Sequence, residues 1–137
     1  MAALAGITAV RPTVDTRFSR VQYGATISAG QSIYLDSADN KWKLADCNAG
    51  SAAVAACAGV AITPGIADGH GIIATGGSII LVGTTMAVGT SYAVGQTAGS
   101  LVPESDLTTS DYLSKVGSGS TTTQMLLGIS ATGILHA

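Results

Sequence analysis

The side chains best suited to catalysis are two histidines, His70 and His136, and two cysteines, Cys47 and Cys57. A catalytic centre needs a nucleophile beside a base, or an acid and a base with tuned pKa values, and the base is most often histidine. His136 is the penultimate residue and His70 stands between two glycines, positions that are typical of solvated histidines. No nucleophile-elbow, P-loop or zinc-protease motif occurs, and the acids are spread singly over predicted turns. We therefore predict that the chain is not an enzyme and has no catalytic residue.

The same side chains give no expectation of a metal or a cofactor. Two cysteines and two distant histidines do not readily supply the ligands of zinc. Without a secretory signal the thiols are expected to be reduced, and a structural disulfide is the alternative. Residues 36–40 have the Asp and Asn of a calcium loop but lack its Gly and distal Glu, so they are ordinary turn residues. Residues 69–74 fit a dinucleotide-binding pattern, but the following residues favour a strand over a helix.

The composition favours one β domain with little charge. Charged residues are 10% of the 137 residues, against about 25% in ordinary domains, and aromatic residues are 4%. We expect one core of Val, Ile and Leu and a surface of Gly, Ser and Thr, which partners cover in part. The sequence pI of 5.4 disfavours a nucleic-acid-binding module. No apolar run reaches the length of about 20 residues that a membrane span needs, and no basic segment precedes the apolar N-terminus, so we expect synthesis and retention in the cytoplasm.

The clearest structural signal is a predicted β-hairpin at residues 26–44. Alternating residues around Tyr34 predict a strand, residues 36–40 predict a turn, and the return strand carries Trp42. Trp42 is interpreted as a core residue, with an interface anchor as the alternative. Residues 85–92 repeat the pattern of residues 26–34, and residues 128–132 match residues 59–63. We predict two related β units, residues 26–63 and 85–132, with a bridging hairpin between them.

Shorter patterns predict the remaining elements. Gly76 and Gly77 predict a tight hairpin turn between residues 72–73 and 78–82. Residues 124–129 form an apolar run that predicts a central strand. Helical turns are expected within residues 46–57 and within residues 103–111, the latter capped by Ser105 or Asp106. Further strands are predicted at residues 17–23, 58–63, 112–117 and 123–129, with an edge strand near the C-terminus.

The first 20 residues differ from the rest in charge. They hold Arg11, Arg17 and Arg20, half of all Lys and Arg, against the single acid Asp15. Pro12 removes a backbone donor and favours extended chain. We therefore predict an extended N-terminal arm, residues 1–20, followed by a single β-barrel or β-sandwich domain, residues 21–137. The arm is either a disordered tail or a segment that orders on a neighbouring acidic surface, through Arg11, Arg17 and Arg20.

From Tyr23 onward the sequence resembles the capsid decoration, or cement, proteins of tailed phages. The resemblance is carried by YGATISAGQSIYLDSADNKWKLAD (23–46), AGVAITPGIADGHG (58–71), GTSYAVGQTAGSLVPESDLTTSDYLSKVG (89–117) and LLGISATGI (126–134). These are patterns of glycine and hydrophobic residues that include no catalytic signature. The resemblance implies an all-β barrel or sandwich that assembles as a dimer or trimer.

The resemblance also implies a function. Such a protein would be a structural component of the virion, made in the host cytoplasm and bound to the outside of the head. There it would bridge neighbouring major capsid subunits against the pressure of packaged DNA. No cofactor, nucleic acid or membrane is expected as a partner. The alternative is a virion adhesin or spike module that binds a host glycan through aromatic side chains grouped on an exposed face.

Overall fold

Strands make up half of the computed structural model, which describes residues 3–48 and 50–136. The strands are β1 (Ala9–Pro12), β2 (Arg17–Gln22), β3 (Ser32–Asp36), β4 (Lys41–Leu44), β5 (Gly59–Ala61), β6 (His70–Val82), β7 (Ser91–Val94), β8 (Leu101–Pro103), β9 (Tyr112–Gly119) and β10 (Gln124–Leu135). Two short helical turns interrupt them, α1 (Ala52–Ala55) and a 3-10 turn (Glu104–Asp106). The all-β prediction is confirmed, as is the expectation of one or two helical turns. The predicted caps are wrong, because Ser105 and Asp106 lie inside the 3-10 turn.

The strands of the described chain form one curled antiparallel sheet, a half-barrel, in the order β4-β3-β5-β6-β10-β9-β7-β8. This order reads the same from either end if β3 to β6 are matched with β7 to β10. We call β3 to β6 the first unit and β7 to β10 the second unit. The units meet where β6 pairs with β10, from Gln124 opposite Ile80 to Leu127 opposite Gly77. The sheet therefore contains two copies of one four-strand arrangement.

The repeat seen in the sequence is confirmed at the start of each hairpin. Gly30 and Gly89 both adopt positive φ, at 85° and 79°, just ahead of β3 and β7. Glycine carries no penalty in this left-handed region. Tyr34 and Tyr92 then enter the core, with 9% and 2% of their surface exposed. Each unit thus begins with the same turn and the same buried ring.

The second predicted match, residues 59–63 with residues 128–132, is wrong. Residues 59–61 form β5, which pairs with the first strand of its hairpin, β3. The strand that pairs with β7 is β9, whereas residues 128–132 belong to β10. Two similar runs of small and β-branched residues fill different places in the repeat, because both simply suit a strand.

The predicted hairpin at Gly76 and Gly77 is also wrong, because residues 70–82 form one long strand. Gly77 has φ +79°, and a side chain there would collide with the backbone carbonyl of Asp15. The pairing with β2 shifts register here, since Arg17 lies opposite Gly76 but Phe18 lies opposite Ala74. The two glycines mark a bulge that bends β6 as it passes from one half of the sheet to the other.

The predicted N-terminal arm is extended, but it is paired with its own domain. β1 pairs antiparallel with β6 from Ala9 opposite Val82 to Pro12 opposite Ile79. β2 pairs with the first half of β6, so the predicted boundary after residue 20 falls inside a strand. The backbone N–H of Leu4 also donates to the carbonyl of Leu101 over 2.8 Å. The described part of the arm, residues 3–20, is thus ordered by contacts within its own chain. This corrects the interpretation of the arm as a tail or as a segment that orders only on a neighbouring surface.

The sheet buries two apolar clusters, not the single core that was predicted. Consecutive residues of β6 point to different clusters, Ile73 to one and Ala74 to the other, and both are 0% exposed. The main core includes Val10, Tyr34, Val60, Ile79, Leu81, Tyr92, Val116 and Met125. The second core contains Tyr23, Ile27, Ile33, Ala61 and Ile73. β3, β5 and β6 each contribute buried side chains to both clusters.

β10 is central only in its first third. Residues 124–127 lie between β6 and β9, and Met125 is 0% exposed. Leu126, on the other side of the strand, is 50% exposed. The prediction of a central strand over residues 124–129 therefore holds for residues 124–127 only, and one face of that stretch meets the main core.

Candidate docking face

An exposed apolar surface that also carries charge is built by β2 and β6. Opposite residues of an antiparallel pair point to the same side of the sheet. The register places Phe18 opposite Ala74 and Arg20 opposite Ile72. Ser19 falls opposite Ile73, on the side of the second core. Phe18, Arg20 and Ile72 therefore share the side of the main core and extend past its rim.

The side chains at this rim leave an apolar hollow open to solvent. Phe18 is 53% exposed and Ile72 is 40% exposed, although both are large hydrophobic residues. The hollow has a volume of about 410 Å³ and is lined by Pro12, Phe18, Ser19, Arg20, Ile62 and Ile72. We call these residues the docking face. An apolar hollow bordered by a cation is typical of a protein interaction surface.

The three predicted contact arginines are not brought together. Arg20 lies on the docking face, but Arg11 lies opposite Ile80, on the other side of the sheet from the buried pair Val10 and Leu81. Arg17 lies opposite Gly76, and its guanidinium covers this glycine. A side chain at position 76 would collide with the guanidinium. Arg11 and Arg17 are separated by four positions of β6, or about 13 Å of strand. They share the outer side of the sheet, away from Arg20.

All three arginines are exposed, and none forms an ion pair with a carboxylate among the described residues. The acid nearest to them in sequence, Asp15, is engaged elsewhere. Its carboxylate accepts hydrogen bonds from the hydroxyls of Thr13 and Ser78, which hold the pKa of Asp15 below its usual range. The hydroxyl of Thr16 donates to the carbonyl of Ser78. The loop between β1 and β2 is thereby fixed to β6, and the arginines keep their full charge available.

The aromatic residues are not grouped on one exposed face. Tyr34 and Tyr92 are buried, and the phenol of Tyr92 accepts a hydrogen bond from the backbone N–H of Ala87 at 2.9 Å. Trp42 is half-buried against the second core, which confirms its interpretation as a core residue. This burial counts against a glycan-binding adhesin, which needs exposed rings.

Two of the residues considered for catalysis, Cys47 and His136, lie beside the same residue, Asp111. His70 is exposed at the start of β6, and the backbone N–H of His136 donates to the carbonyl of Asp111 over 2.7 Å. Cys47 and Cys57 are free and buried, as predicted for reduced thiols. Burial raises the pKa of Cys57 to about 11 and, with help from Asp111 and Asp46, that of Cys47 to about 12. Both thiols are protonated at neutral pH, so neither is an activated nucleophile.

The turn at residues 36–40 is held by Lys43 on the strand that follows it. The ammonium group of Lys43 lies 2.7 Å from a carboxylate oxygen of Asp36 and 3.1 Å from one of Asp39. Asn40 adopts φ +58°, the left-handed conformation that Asn tolerates. Across residues 3–48 and 50–136, no group of three or more His, Cys, Asp or Glu side chains is placed to hold a metal ion.

Comparison with known proteins leaves the geometry as the main guide to function. No protein-family model matches the sequence, and no curated protein matches it. In the part of the chain that the structure describes, neither helical turn has the length and apolar character of a membrane span.

Sequence reasoning named Arg20 but missed Phe18 as a site residue. Phe18 is the only Phe in the chain, and it alternates in phase with Arg20 and Gln22. An aromatic residue that shares its strand face with polar residues is expected to be exposed. This phase was the signal that would have identified the docking face.

Proposed function

We propose that this chain is a structural protein of a tailed-phage virion that attaches to the outside of the head and bridges neighbouring major capsid subunits. The proposal is supported by the sequence resemblance and by the exposed apolar hollow of the docking face. It predicts that the protein binds the assembled shell and not isolated capsid subunits, since a bridge needs two neighbours.

The docking face is the observation that carries the proposal. Phe18 is 53% exposed on an edge strand, beside Arg20 and Ile72. The exposed part of its ring does not stabilise the fold of the free monomer. Aromatic and Arg side chains are the residues that most often dominate protein interfaces. Arg20 has no carboxylate partner among the described residues, so it favours an acidic surface on the shell. The attachment is thus expected to combine a buried ring with one charge pair.

Point substitutions test this better than removal of the N-terminal arm. Deleting residues 1–20 would remove β1 and four of the six residues of β2, and would unpair one edge of β6. A loss of binding would then report misfolding. Phe18→Ala leaves the backbone pairing intact and removes only the exposed ring.

The measurement is the occupancy of purified heads that lack the protein, titrated with the wild-type chain or a variant. Phe18→Ala is expected to weaken binding about 30-fold, the effect of losing an interface hot spot. Arg20→Glu should weaken it further at low salt, and more than Arg11→Glu, because Arg11 lies on the opposite side of the sheet.

Leu35→Ala is the matched control, because Leu35 is another large strand residue that is 47% exposed but lies on β3, outside the docking face. It should bind like the wild-type chain. If Phe18→Ala and Arg20→Glu both occupied the heads as fully as the wild-type chain, the role of the docking face would be overturned. Failure of the wild-type chain to bind any head would overturn the proposed function itself.

A further inference from the structure

The second half of β10 is a strand with one edge that pairs with no other strand of the described chain, and α1 contacts β10. Residues 124–127 pair with both β6 and β9, whereas the pairs beyond Leu127, at Ser130, Ala131 and Leu135, are with β9 alone. In residues 128–135 every residue except Ile129 is exposed. We call residues 128–135 the β10 wing. Ile134 and Leu135 are 62% and 51% exposed there.

The β10 wing lacks the protection that the other edge strands have. Edge strands of soluble proteins usually carry charge or Pro, or are very short, which prevents pairing with other chains. β1 holds Arg11 and Pro12, β2 holds two arginines, β4 holds two lysines, and β8 has 3 residues ending in Pro103. In contrast, residues 116–137 contain no Lys, Arg, Asp or Glu. Register shifts near Gly128 and Gly133 limit the pairing to a short stretch but add no charge.

The repeat indicates what should cover this edge. β6 takes the place in the first unit that β10 takes in the second. The first half of β6 is covered by β2 and its second half by β1, in addition to its pairs with β5 and β10. The first unit thus receives strands from the N-terminal segment, and the chain contains no further strand among its described residues for the β10 wing. The missing strand has to come from another molecule.

A second copy of this chain fits the edge best. The equivalent strands β6 and β10 already pair antiparallel with each other inside the chain. Two β10 wings related by a two-fold axis would repeat that pairing, with the same surface on both sides. Because the wing is uncharged, two copies meet without repulsion, whereas a pair of β2 edges would oppose four arginines. We infer that the chain forms a two-fold dimer by antiparallel pairing of two β10 wings, which joins two half-barrels into one continuous sheet.

Sedimentation equilibrium of the purified full chain tests the dimer without any capsid. The average mass is expected to rise from 13.5 kDa towards twice that value as the concentration approaches about 1 mM, at which a dimer held by only about 4 kcal/mol is half formed. The double substitution Ile134→Lys, Leu135→Lys should weaken association about 100-fold, because it opposes like charges across the axis. Val88→Lys is the control, since Val88 is 65% exposed outside the wing and its substitution should leave association unchanged.

A second measurement locates the interface in the unmodified protein. Amide hydrogen exchange should slow in residues 129–135 as the protein concentration rises, while residues 17–22 of β2 exchange at a constant rate. The near-ultraviolet signal of Trp42 checks that the double variant is folded. A monomer at every concentration, a trimer, or concentration-dependent protection confined to another strand would each overturn the inference. None of these results depends on binding to a capsid, so the proposed function is tested separately.

Discussion

The two units share one strand order, but their hairpin tips have opposite environments. The first tip, residues 37–40, is exposed, and Asp36 and Asp39 beside it are paired with Lys43. The second tip, residues 95–100, is uncharged and packs against the first unit. There the backbone N–H of Gly99 donates to the carbonyl of Ala45 over 2.7 Å. One copy of the motif ends in solvent while the other connects the two halves of the sheet.

The last strands of the units differ in the same sense. β6 is covered along its length and bends at Gly77 around the loop that follows β1. β10 also contains a glycine with positive φ, Gly133 at 70°, but its surroundings are open. A repeated sequence thus gives two different outcomes, because the N-terminal segment covers only one of the two units. The difference shows which contacts stabilise the fold and which are free to bind partners.

Substitution of the two glycines should give the largest contrast. Gly77→Ala is expected to destabilise the protein by about 3 kcal/mol or more, since a left-handed residue costs about 1–2 kcal/mol and the collision with the Asp15 carbonyl adds to it. Gly133→Ala has the same backbone cost and no collision, so about 1 kcal/mol is expected. The free energy of unfolding in urea gives both values. Equal losses would show that β6 and β10 are not different in packing.

The second tip should depend on a buried carboxylate. Asp111 is 2% exposed, and it accepts hydrogen bonds from the side-chain amide of Gln96 at 2.9 Å and the backbone N–H of Thr108 at 2.8 Å. Burial opposes ionisation of Asp111, but these hydrogen bonds outweigh it and keep its pKa below the usual value. Asp111→Asn is expected to lower the free energy of unfolding by about 1–3 kcal/mol at pH 7. The asparagine amide is uncharged, and its NH2 group is a donor where the carboxylate had an acceptor oxygen.

The pH dependence of this carboxylate follows from the sign of the shift. A carboxyl whose pKa is lower in the folded state stabilises the protein above the unfolded value of about 3.9, and this contribution is lost as pH falls through the folded pKa. Wild-type stability should therefore decrease more steeply below pH 4 than that of Asp111→Asn. Urea denaturation at a series of pH values measures both slopes. Parallel curves for the two proteins would contradict the assignment.

Some of these features could be predicted from the sequence and others could not. The hairpin at residues 26–44 and its repeat were predicted because alternation and turn residues act locally. The strand that contains Gly76 and Gly77 was predicted as a hairpin, because a bulge and a tight turn both favour paired glycines. The carbonyl of Asp15 that decides between them is distant in sequence.

The candidate site divides in the same way. Arg20 was identified by its charge, but strand phase and one register shift in β2 decide that Arg17 points to the other side of the sheet. The pairing of residues 9–12 with β6 had no local signal, since the partner strand lies about 70 positions away. Charge alone therefore identified three arginines as one group, although the fold separates them.

The first tip should be the least sensitive part of the comparison. The carboxylates of Asp36 and then Asp39 raise the pKa of Lys43, so the ammonium group is charged at neutral pH. These groups are nevertheless in solvent, where ion pairs contribute little because water and salt screen them. Lys43→Gln should leave the urea midpoint near that of the wild-type protein, and the small difference should vanish in 1 M salt, where the screening length is about 3 Å. A loss as large as that of Asp111→Asn would mean that the first tip, like the second, supports the fold through its contacts.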